Sequence, residues 1–519
     1  MRQRRLWFQT FFILINMIGY ATEVPPLWYA EPAKEWEDAL PLGNGRLAAM
    51  VFGRIGEERI QFNEESLWSG APQDADNPNA LVVLPQIRQL LFRGNYREAE
   101  RLTRENLLCR GGGSLYGTSA NGAFGAYQTF GDLFITFPDQ NRVENYRREL
   151  DLNTATVRVT YSIGDAHYTR ECFISAPDQV CVISLSCDQP GKISFTAKLA
   201  RPERATISAE GDSALVMRGQ LPPGEGVRFF AKLRGIAENG HSAASGDALV
   251  VENADSAVLL LAATTDFKGK PHEQIAEQQI ASAANRSLAQ LREAHTLDYQ
   301  SHFQRVELYL EGPDFTEIPT NLRLQAMKEG RLDPKLLAQY FQFGRYLLIS
   351  SSRPGCLPAN LQGKWAHLIQ PPWNCDYHTN INLQMNYWAA EVANLADCHK
   401  PLFEFISTLR SPGSRTAKIH YGARGWVVHH ITNVWGFTSP AEDASWGLFP
   451  AGGGWLCQHL WEHYAFGLDS AYLKEVYPIL KESAQFYLDF LVRESRFGYL
   501  VTAPSSSPEN RFFLPNRQA

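Results

Sequence analysis

The chain contains little that would connect it with a membrane, a redox centre or a nucleic acid. Its 8 cysteines among 519 residues include no Cys-x-x-Cys pair, which argues against a zinc ribbon or a redox motif. No basic run is interleaved with aromatic residues and the net charge is −6, so nucleic acid is not an expected partner. Beyond the N-terminus, no stretch reaches the roughly 20 apolar residues that a membrane span needs. With 44% hydrophobic and 20% charged residues, the chain has the composition of an ordinary globular protein of about two to four domains.

The N-terminus has the pattern of an export signal. A basic stretch at residues 1–5 precedes an apolar run over residues 6–18, and the small residues Gly19 and Ala21 fit a cleavage site. We therefore predict a signal peptide over residues 1–21 and a secreted or periplasmic protein. A buried first helix, or a start codon placed too far upstream, is the alternative interpretation.

The remaining chain changes its hydrophobic period near residue 266. Before that point it reads as strands: Thr156–Tyr161 alternates, residues 163–166 form a turn, and His167–Ile174 runs back as in a hairpin. Many short strands with regular turns predict a large N-terminal β-sandwich over residues 22–266.

After residue 266 the period is helical. Residues 267–320 predict a helical linker, because they contain long Gln-, Glu- and Ala-rich stretches. Residues 321–519 predict further helices, for example over Lys335–Ser350 and Gly453–Phe466. The connections between these helices are long and rich in Gly, Pro, Trp and His, as functional loops often are.

Tryptophan is concentrated in the second half of the chain. Eight of the 12 tryptophans lie from Trp365 to Trp461, and none lies between Trp68 and Trp365. Flat aromatic faces with a polar edge suit sugar rings, which are apolar on one face. The alternative is that these residues are core aromatics of a helical domain.

A polar motif lies among these tryptophans, from Asp376 to Trp388. His378, Asn380 and Asn382 alternate, so an extended segment would direct all three side chains to one side and form a polyol-binding surface. The alternative is that the asparagines cap helices and form turns, as asparagine commonly does.

Two further patterns concern metals and acids. His459-Leu-Trp-Glu-His463 matches the inverted zincin pattern, but no third ligand is evident, and we favour a role in helix packing or as a wall of the site. The acidic residues that could donate a proton are Glu391, Glu442, Asp443, Glu462 and Glu509. Glu509 lies in the Ser- and Pro-rich loop 502–510, which could aim and partly desolvate a carboxyl group; the alternative is a simple turn residue.

Several long motifs resemble those of glycoside hydrolase family 95, and the resemblance extends over nearly the whole chain after the signal. The motifs are Pro41–Gly53, Gln61–Gly70, Tyr127–Asp132, Arg345–Gly355, Pro358–Trp365, Asp376–Trp388, Gly453–His463 and Ser507–Asn510.

The resemblance implies an N-terminal β-sandwich, a helical linker and an (α/α)6 barrel, of which residues 321–519 would be a part. It also implies an inverting α-L-fucosidase, with α-L-galactosidase as the alternative activity, which needs no cofactor or metal. Its substrate would be a fucosylated oligosaccharide or polysaccharide. Glu509 matches the general acid, and Asn380 and Asn382 match the two catalytic asparagines. The substrate contacts that we expect are His378, Trp373, Trp455, Trp461 and His429.

In the family, an aspartate from a later barrel segment polarises one asparagine, and this chain ends at Ala519 before that segment. The segment His429–Asn433 also departs from the family pattern, which has an aspartate where this chain has Asn433. We therefore expect little or no fucosidase activity from the 519-residue chain. A truncated fragment that only binds glycans and an inverting glycoside phosphorylase are the other hypotheses.

Overall fold

The computed structural model describes residues 24–138, 142–222 and 226–510, together with the backbone of two short strands near the end of the chain. The predicted signal peptide, residues 1–21, lies outside the described residues. Over the part that is described, no helix combines the length and the apolar character needed to cross a membrane.

Two antiparallel sheets form the first half of the chain. Their strands are β1 Leu27–Tyr29, β2 Leu40–Gly43, β3 Leu47–Val51, β4 Glu57–Glu64, β5 Gly131–Thr136, β6 Val143–Asp151, β7 Thr156–Ile163, β8 Ala166–Ile174, β9 Cys181–Cys187, β10 Ile193–Ala200, β11 Ala205–Glu210, β12 Ala214–Gln220, β13 Arg228–Glu238, β14 His241–Ser245, β15 Ala248–Ala254 and β16 Ser256–Thr265. The order is β1-β6-β7-β8-β9-β16-β13-β12-β11 in one sheet and β14-β15-β10-β5-β4-β3-β2 in the other.

Helices dominate the second half. They are α3 His272–Ala284, α4 Leu288–Phe303, α5 Thr320–Lys328, α6 Pro334–Ser351, α7 Asn382–Tyr387, α8 Ala389–Val392, α9 Ala396–Tyr421, α10 Ala444–Gly447, α11 Gly452–Gly467 and α12 Ser470–Phe490, after α1 Ala80–Phe92 and α2 Tyr96–Asn106 in the first half. The short strand pairs are β17 Tyr377–His378 with β18 Ile431–Thr432, β19 Val492–Arg493 with β20 Leu500–Val501, and β21 Phe513–Leu514 with β22 Arg517–Gln518.

The predicted fold class, β-sandwich followed by helices, is confirmed. The hairpin of β7 and β8 pairs Thr160 with Thr169, as the alternating pattern predicts. Strand β16 is apolar from Ala257 to Ala263 because both of its faces are covered: Leu259 points into the sandwich core, whereas Leu260 packs with Ile280 of α3. The exact domain boundaries at residues 266 and 320 stay predictions.

Two parts of the fold differ from the sequence-based expectation. Helices α1 and α2 interrupt the first half, which we predicted as strands throughout. Helix α9 was not predicted, because Pro401 and Pro412 lie inside it and proline usually ends a helix. All eight cysteines are free, and five of them are buried.

The sandwich and the helices share one continuous apolar core. Across this contact the Lys364 ammonium lies 3.0 Å from the Glu65 carboxylate, with only 2% and 6% of the two side chains exposed. Gly43 lies against the backbone of Ser350, where an added Cβ would come within 2.4 Å of the carbonyl oxygen. The two halves are therefore packed backbone against backbone.

Candidate active site

A cavity of about 410 Å³ lies where the sandwich loops meet the helical region. This volume is in the range of small-molecule pockets. Its lining residues come from both halves of the chain: Ser114, Tyr116, Gly117, Trp373, Asp376, His378, His430, Ile431, Ser445, Trp446, Glu509 and Asn510.

The pair of short strands β17 and β18 positions the histidines. Tyr377 is buried and stacks on Trp68 at a centroid distance of 5.7 Å, which fixes the strand to the sandwich core. Because side chains alternate along a strand, His378 then points the opposite way, into the cavity. The Thr379 N–H donates to the carbonyl oxygen of His430 at 2.8 Å and holds the neighbouring histidine beside it.

Asp376 and His378 form a buried pair on the cavity floor. The His378 Nδ1 lies 2.6 Å from the Asp376 Oδ1, and because a carboxylate can only accept, the imidazole donates. Burial alone would lower the pKa of His378, but the Asp376 carboxylate, with a further contribution from Glu509, raises it. Burial raises the pKa of Asp376, against the opposing charge of His378. The pair therefore holds a proton at Nδ1 and leaves the His378 Nε2 available to a ligand.

His430 is a second imidazole of the floor. Its side chain is only 5% exposed, and neither ring nitrogen has a hydrogen-bond partner among the described residues. Burial, and then the charge of His378, lower the pKa of His430 to about 3, so the ring is neutral. A neutral imidazole offers one donor and one acceptor, which matches the two roles of a sugar hydroxyl. Leaving both groups unpaired costs free energy.

Glu509 lies at the rim of the cavity in the loop that follows β20. The Ser506 N–H donates to the Leu448 carbonyl oxygen at 2.8 Å, and the Asn510 N–H donates to the Ser507 carbonyl oxygen at 2.6 Å. The first bond attaches the loop to the helical region, and the second closes a turn within the loop. Glu509 itself is exposed, so the expected partial desolvation of its carboxyl group is not seen.

A loop of the sandwich half completes the cavity. The Glu442 carboxylate accepts hydrogen bonds from the Ser114 N–H at 2.9 Å, the Ser114 hydroxyl at 2.6 Å and the Tyr116 N–H at 2.6 Å. Gly117, at φ +78°, lies so close to Trp373 that an added Cβ would come within 2.8 Å of its Cα. Sequence reasoning missed this loop, although its run Gly111-Gly-Gly113 is a recognisable signal of an irregular functional loop.

The cavity brings together three of the predicted site residues, Glu509, His378 and Trp373, and adds Trp446 as a second tryptophan. Asn380 is not among the lining residues, but its side-chain carbonyl oxygen is buried and accepts no hydrogen bond from any described residue. Asn382 begins helix α7 and is exposed, because the extended backbone ends at His378. The expected alternation of the three polar side chains on one side is therefore wrong.

The other predicted substrate contacts lie elsewhere. His429 is fully buried and bonds the Tyr421 hydroxyl at 2.7 Å and the Thr438 carbonyl oxygen at 2.9 Å, so its neighbour His430 faces the cavity instead. Trp455 is half-buried on α11 and Trp461 is 52% exposed, and neither lines the cavity.

The other acidic candidates have separate partners. Glu442 holds the sandwich loop, and Asp443 caps α10 and pairs with Arg104. Glu391 accepts from the Nδ1 atoms of His399 at 2.8 Å and His463 at 2.7 Å.

This last cluster is the group of described side chains with metal-ligand spacing. Ligands of a tetrahedral zinc lie about 2.0 Å from the ion and hence about 3.3 Å from one another, more than the 2.8 Å and 2.7 Å between the Glu391 carboxylate and the two histidine Nδ1 atoms. The spacing is that of hydrogen bonds, and Glu462 of the zincin-like pattern is exposed and takes no part.

Comparison with known proteins identifies the family. Residues 287–519 match the Glycosyl hydrolase family 95 catalytic domain, and residues 27–270 match the Glycosyl hydrolase family 65, N-terminal domain. The chain belongs to glycoside hydrolase family 95. It is 38% identical to Alpha-L-fucosidase 2 of Arabidopsis thaliana over 94% of the chain and 61% of that protein. It is 34% identical to "Probable alpha-fucosidase A" of Aspergillus niger over 91% of the chain and 61% of that protein.

The family 95 chain thus spans about 61% of the length of the curated relatives that it matches. A solved structure described as a kojibiose phosphorylase from the human microbiome superposes with a TM-score of 0.56, at 11% identity, over 91% of the chain and 61% of that structure. At this identity the likeness shows the fold alone.

Proposed function

We propose that the chain is an exo-acting, inverting glycosidase that releases terminal α-1,2-linked L-fucose from oligosaccharides or polysaccharides. The observation that carries the proposal is one cavity with buried polar groups at its floor and the Glu509 carboxyl group at its rim. Such a pocket fits the terminal sugar of a glycan, and a group at the rim can reach the oxygen that links it to the next sugar. The names of the relatives support fucose as that sugar. Export, predicted from residues 1–21, is part of the same proposal.

In this proposal Glu509 is the general acid that protonates the leaving oxygen. Inversion needs a water molecule on the opposite face of the sugar, and Asn380 and Asn382 are proposed to orient it. An amide cannot take the proton of that water at neutral pH. Apart from Glu509, the carboxyl and imidazole groups that line the described cavity are Asp376, His378 and His430, and we propose that the Asp376–His378 pair takes this proton at the His378 Nε2 atom.

Phosphorolysis is less well supported than hydrolysis. A phosphate substrate is usually held by Arg or Lys side chains, and none lines the described cavity. An α-L-galactosidase needs only slightly more room, for a hydroxymethyl group in place of the methyl group of fucose. Parallel assays on the two glycosides distinguish these activities.

The direct test is to incubate the purified 519-residue chain with 2′-fucosyllactose and to follow the released sugar by proton NMR. The proposal predicts that β-L-fucose is released first, with the Asp376–His378 pair as the base, and such turnover would overturn the sequence-based expectation of little or no activity. Release of the α anomer first would contradict inversion. Binding of L-fucose without turnover would indicate a glycan-binding protein instead of an enzyme. If neither L-fucose nor L-galactose bound, the proposal would be refuted.

Glu509→Gln tests the acid. It is expected to lower kcat on 2′-fucosyllactose by about 10²–10⁴-fold, the usual contribution of general acid catalysis. Fluoride leaves without a proton, so α-L-fucosyl fluoride should be affected much less. Glu462→Gln, at an exposed position on α11, is the matched control. Equal losses on both substrates would exclude Glu509 as the acid.

A further inference from the structure

The cavity has a buried polar floor and an exposed aromatic rim. Asp376 is 1% exposed on the floor, whereas the rings of Tyr116 and Trp373 are 67% and 64% exposed. Both rings line the same cavity, one from the sandwich half and one from the helical half. A terminal sugar that reaches the floor would place the next sugar of the glycan at this rim.

Both rim residues have a backbone conformation that side chains of their size rarely adopt. Tyr116 has φ +52° and Trp373 has φ +48°. Such left-handed conformations cost free energy in residues other than glycine, and they persist only where the surrounding structure enforces them. They are concentrated at ligand-binding and catalytic sites.

The surrounding contacts do enforce them. Glu442 accepts three hydrogen bonds from Ser114 and Tyr116, as described above. On the other side, the Asn374 amide donates to the Ser114 carbonyl oxygen at 3.0 Å and accepts from the Ser119 N–H at 2.6 Å. The fold therefore holds two large rings out in solvent, although burying them would gain free energy.

Exposed aromatic faces of this kind suit a pyranose ring. The apolar C–H face of a hexose can stack on them while its hydroxyls stay in water. Trp446 supports the arrangement from below, with its ring edge-to-face to Tyr116 at 6.2 Å and to His430 at 5.3 Å.

We propose that Tyr116 and Trp373 form a stacking site for the sugar that carries the released residue. This inference rests on the proposed function and deepens it: the enzyme recognises the leaving-group pyranose, and its substrates are glycans in which a ring adjoins the terminal fucose. Tyr116, contributed by the sandwich half, is then a specificity-determining residue. Glu442 is its positioning residue.

The test compares two ligands that differ only by the leaving group. The dissociation constants of L-fucose and of the sulfur-linked, non-hydrolysable analogue of 2′-fucosyllactose are measured by calorimetry for the wild-type chain, Tyr116→Ala and Tyr116→Phe. Loss of one stacked ring should raise the Kd of the trisaccharide analogue about 3- to 10-fold. The Kd of L-fucose should change less than about twofold, and Tyr116→Phe, which keeps the ring, should leave both values unchanged.

A second variant is a control for misfolding of Tyr116→Ala. Tyr116→Asn removes the ring and tolerates the left-handed backbone better than alanine, so it should reproduce the selective loss. Equal weakening of both ligands, or no change in either, would overturn the inference while leaving the proposed function intact. If the wild-type chain bound neither ligand, the proposed function would fail and the inference with it.

Discussion

The β-sandwich and the helical region bury their apolar side chains to different degrees. Within the described strands β1 to β16, Ile236, at 37%, is the one large apolar residue that is exposed. The segment of α7 and α8 is different, because four apolar residues on or next to these two helices are 36% to 70% exposed: Ile381, Met385, Trp388 and Val392. Their spacing of four, three and four residues makes one helical stripe that faces solvent.

The two regions share one apolar core but differ in how their buried carboxylates depend on their partners. The sandwich is held by apolar burial between two sheets and under α3. The helices around the cavity depend more on buried polar groups, above all the Glu391 carboxylate between His399 and His463. The free energy of unfolding of the helical region should therefore respond more strongly to changes in charge.

The largest expected effect is on the contact that joins the two regions. Lys364→Ala leaves the Glu65 carboxylate buried without its cation, and should lower the free energy of unfolding by about 3–5 kcal/mol. Urea titration followed by circular dichroism measures this change. Lys335→Ala removes an exposed ion pair with Asp314 and should cost less than about 1 kcal/mol. Equal costs would show that the buried pair does not join the two halves energetically.

A smaller effect, limited to one region, is expected for Glu391→Ala. The change leaves the Nδ1 donors of His399 and His463 without an acceptor, at a cost of about 2–4 kcal/mol. Limited proteolysis with mass spectrometry should show the first cuts moving into the helical region while the sandwich stays intact. Glu462→Ala, at an exposed position of the same region, should change stability by less than about 0.5 kcal/mol. Cuts that begin in the sandwich strands would contradict the comparison.

Acid should destabilise the helical region more than the sandwich. Burial raises the pKa of Glu391, but the hydrogen bonds from His399 and His463 outweigh this effect and lower the pKa to about 2, from an ordinary 4.5. A carboxylate with a lowered pKa stabilises the fold above its ordinary pKa, and this contribution is lost as the pH falls from about 4.5 towards 2.

In the sandwich, burial raises the pKa of Glu58 and Glu64, so protonation relieves a cost there. Pepsin digestion between pH 4.5 and 2 should therefore cut the helical region first, and increasingly so at lower pH. Digestion that begins in the strands would contradict the expectation that acid destabilises the helical region first.

The smallest effect is expected on the exposed stripe. Met385→Lys should change the free energy of unfolding by less than about 0.5 kcal/mol, because the side chain is 54% exposed. It should also reduce light scattering of concentrated solutions, because it interrupts an apolar surface patch. Ile236→Lys is the corresponding change in the sandwich. A loss of more than about 2 kcal/mol for Met385→Lys would show that the stripe is covered in solution.

Sequence periodicity predicted the sandwich and most helices because each buries a regular set of positions. It failed for α9, because two prolines lie inside this helix and proline usually ends one. It also failed for Asn382, because alternation along a sequence does not show at which residue a strand ends. It also could not choose between His429 and His430, since only the pairing of β17 with β18 decides which ring faces the cavity. Glu509 and His378, which lie in the family motifs, line the cavity, whereas Tyr116 and Glu442 meet only through tertiary contacts.

Two parts of the chain that are far apart in sequence line the cavity, and this has a consequence for the order in which the site forms during translation. Ser114 and Asn510 lie on the same cavity, although nearly the whole helical region separates them in sequence. At translation rates of about 5–20 residues per second, Asn510 emerges on the order of 20–80 s after Ser114. For most of that interval Glu442 has not yet been synthesised, so the loop with Tyr116 lacks the carboxylate that holds its left-handed conformation. The cavity can therefore be completed only after residue 510 has been synthesised.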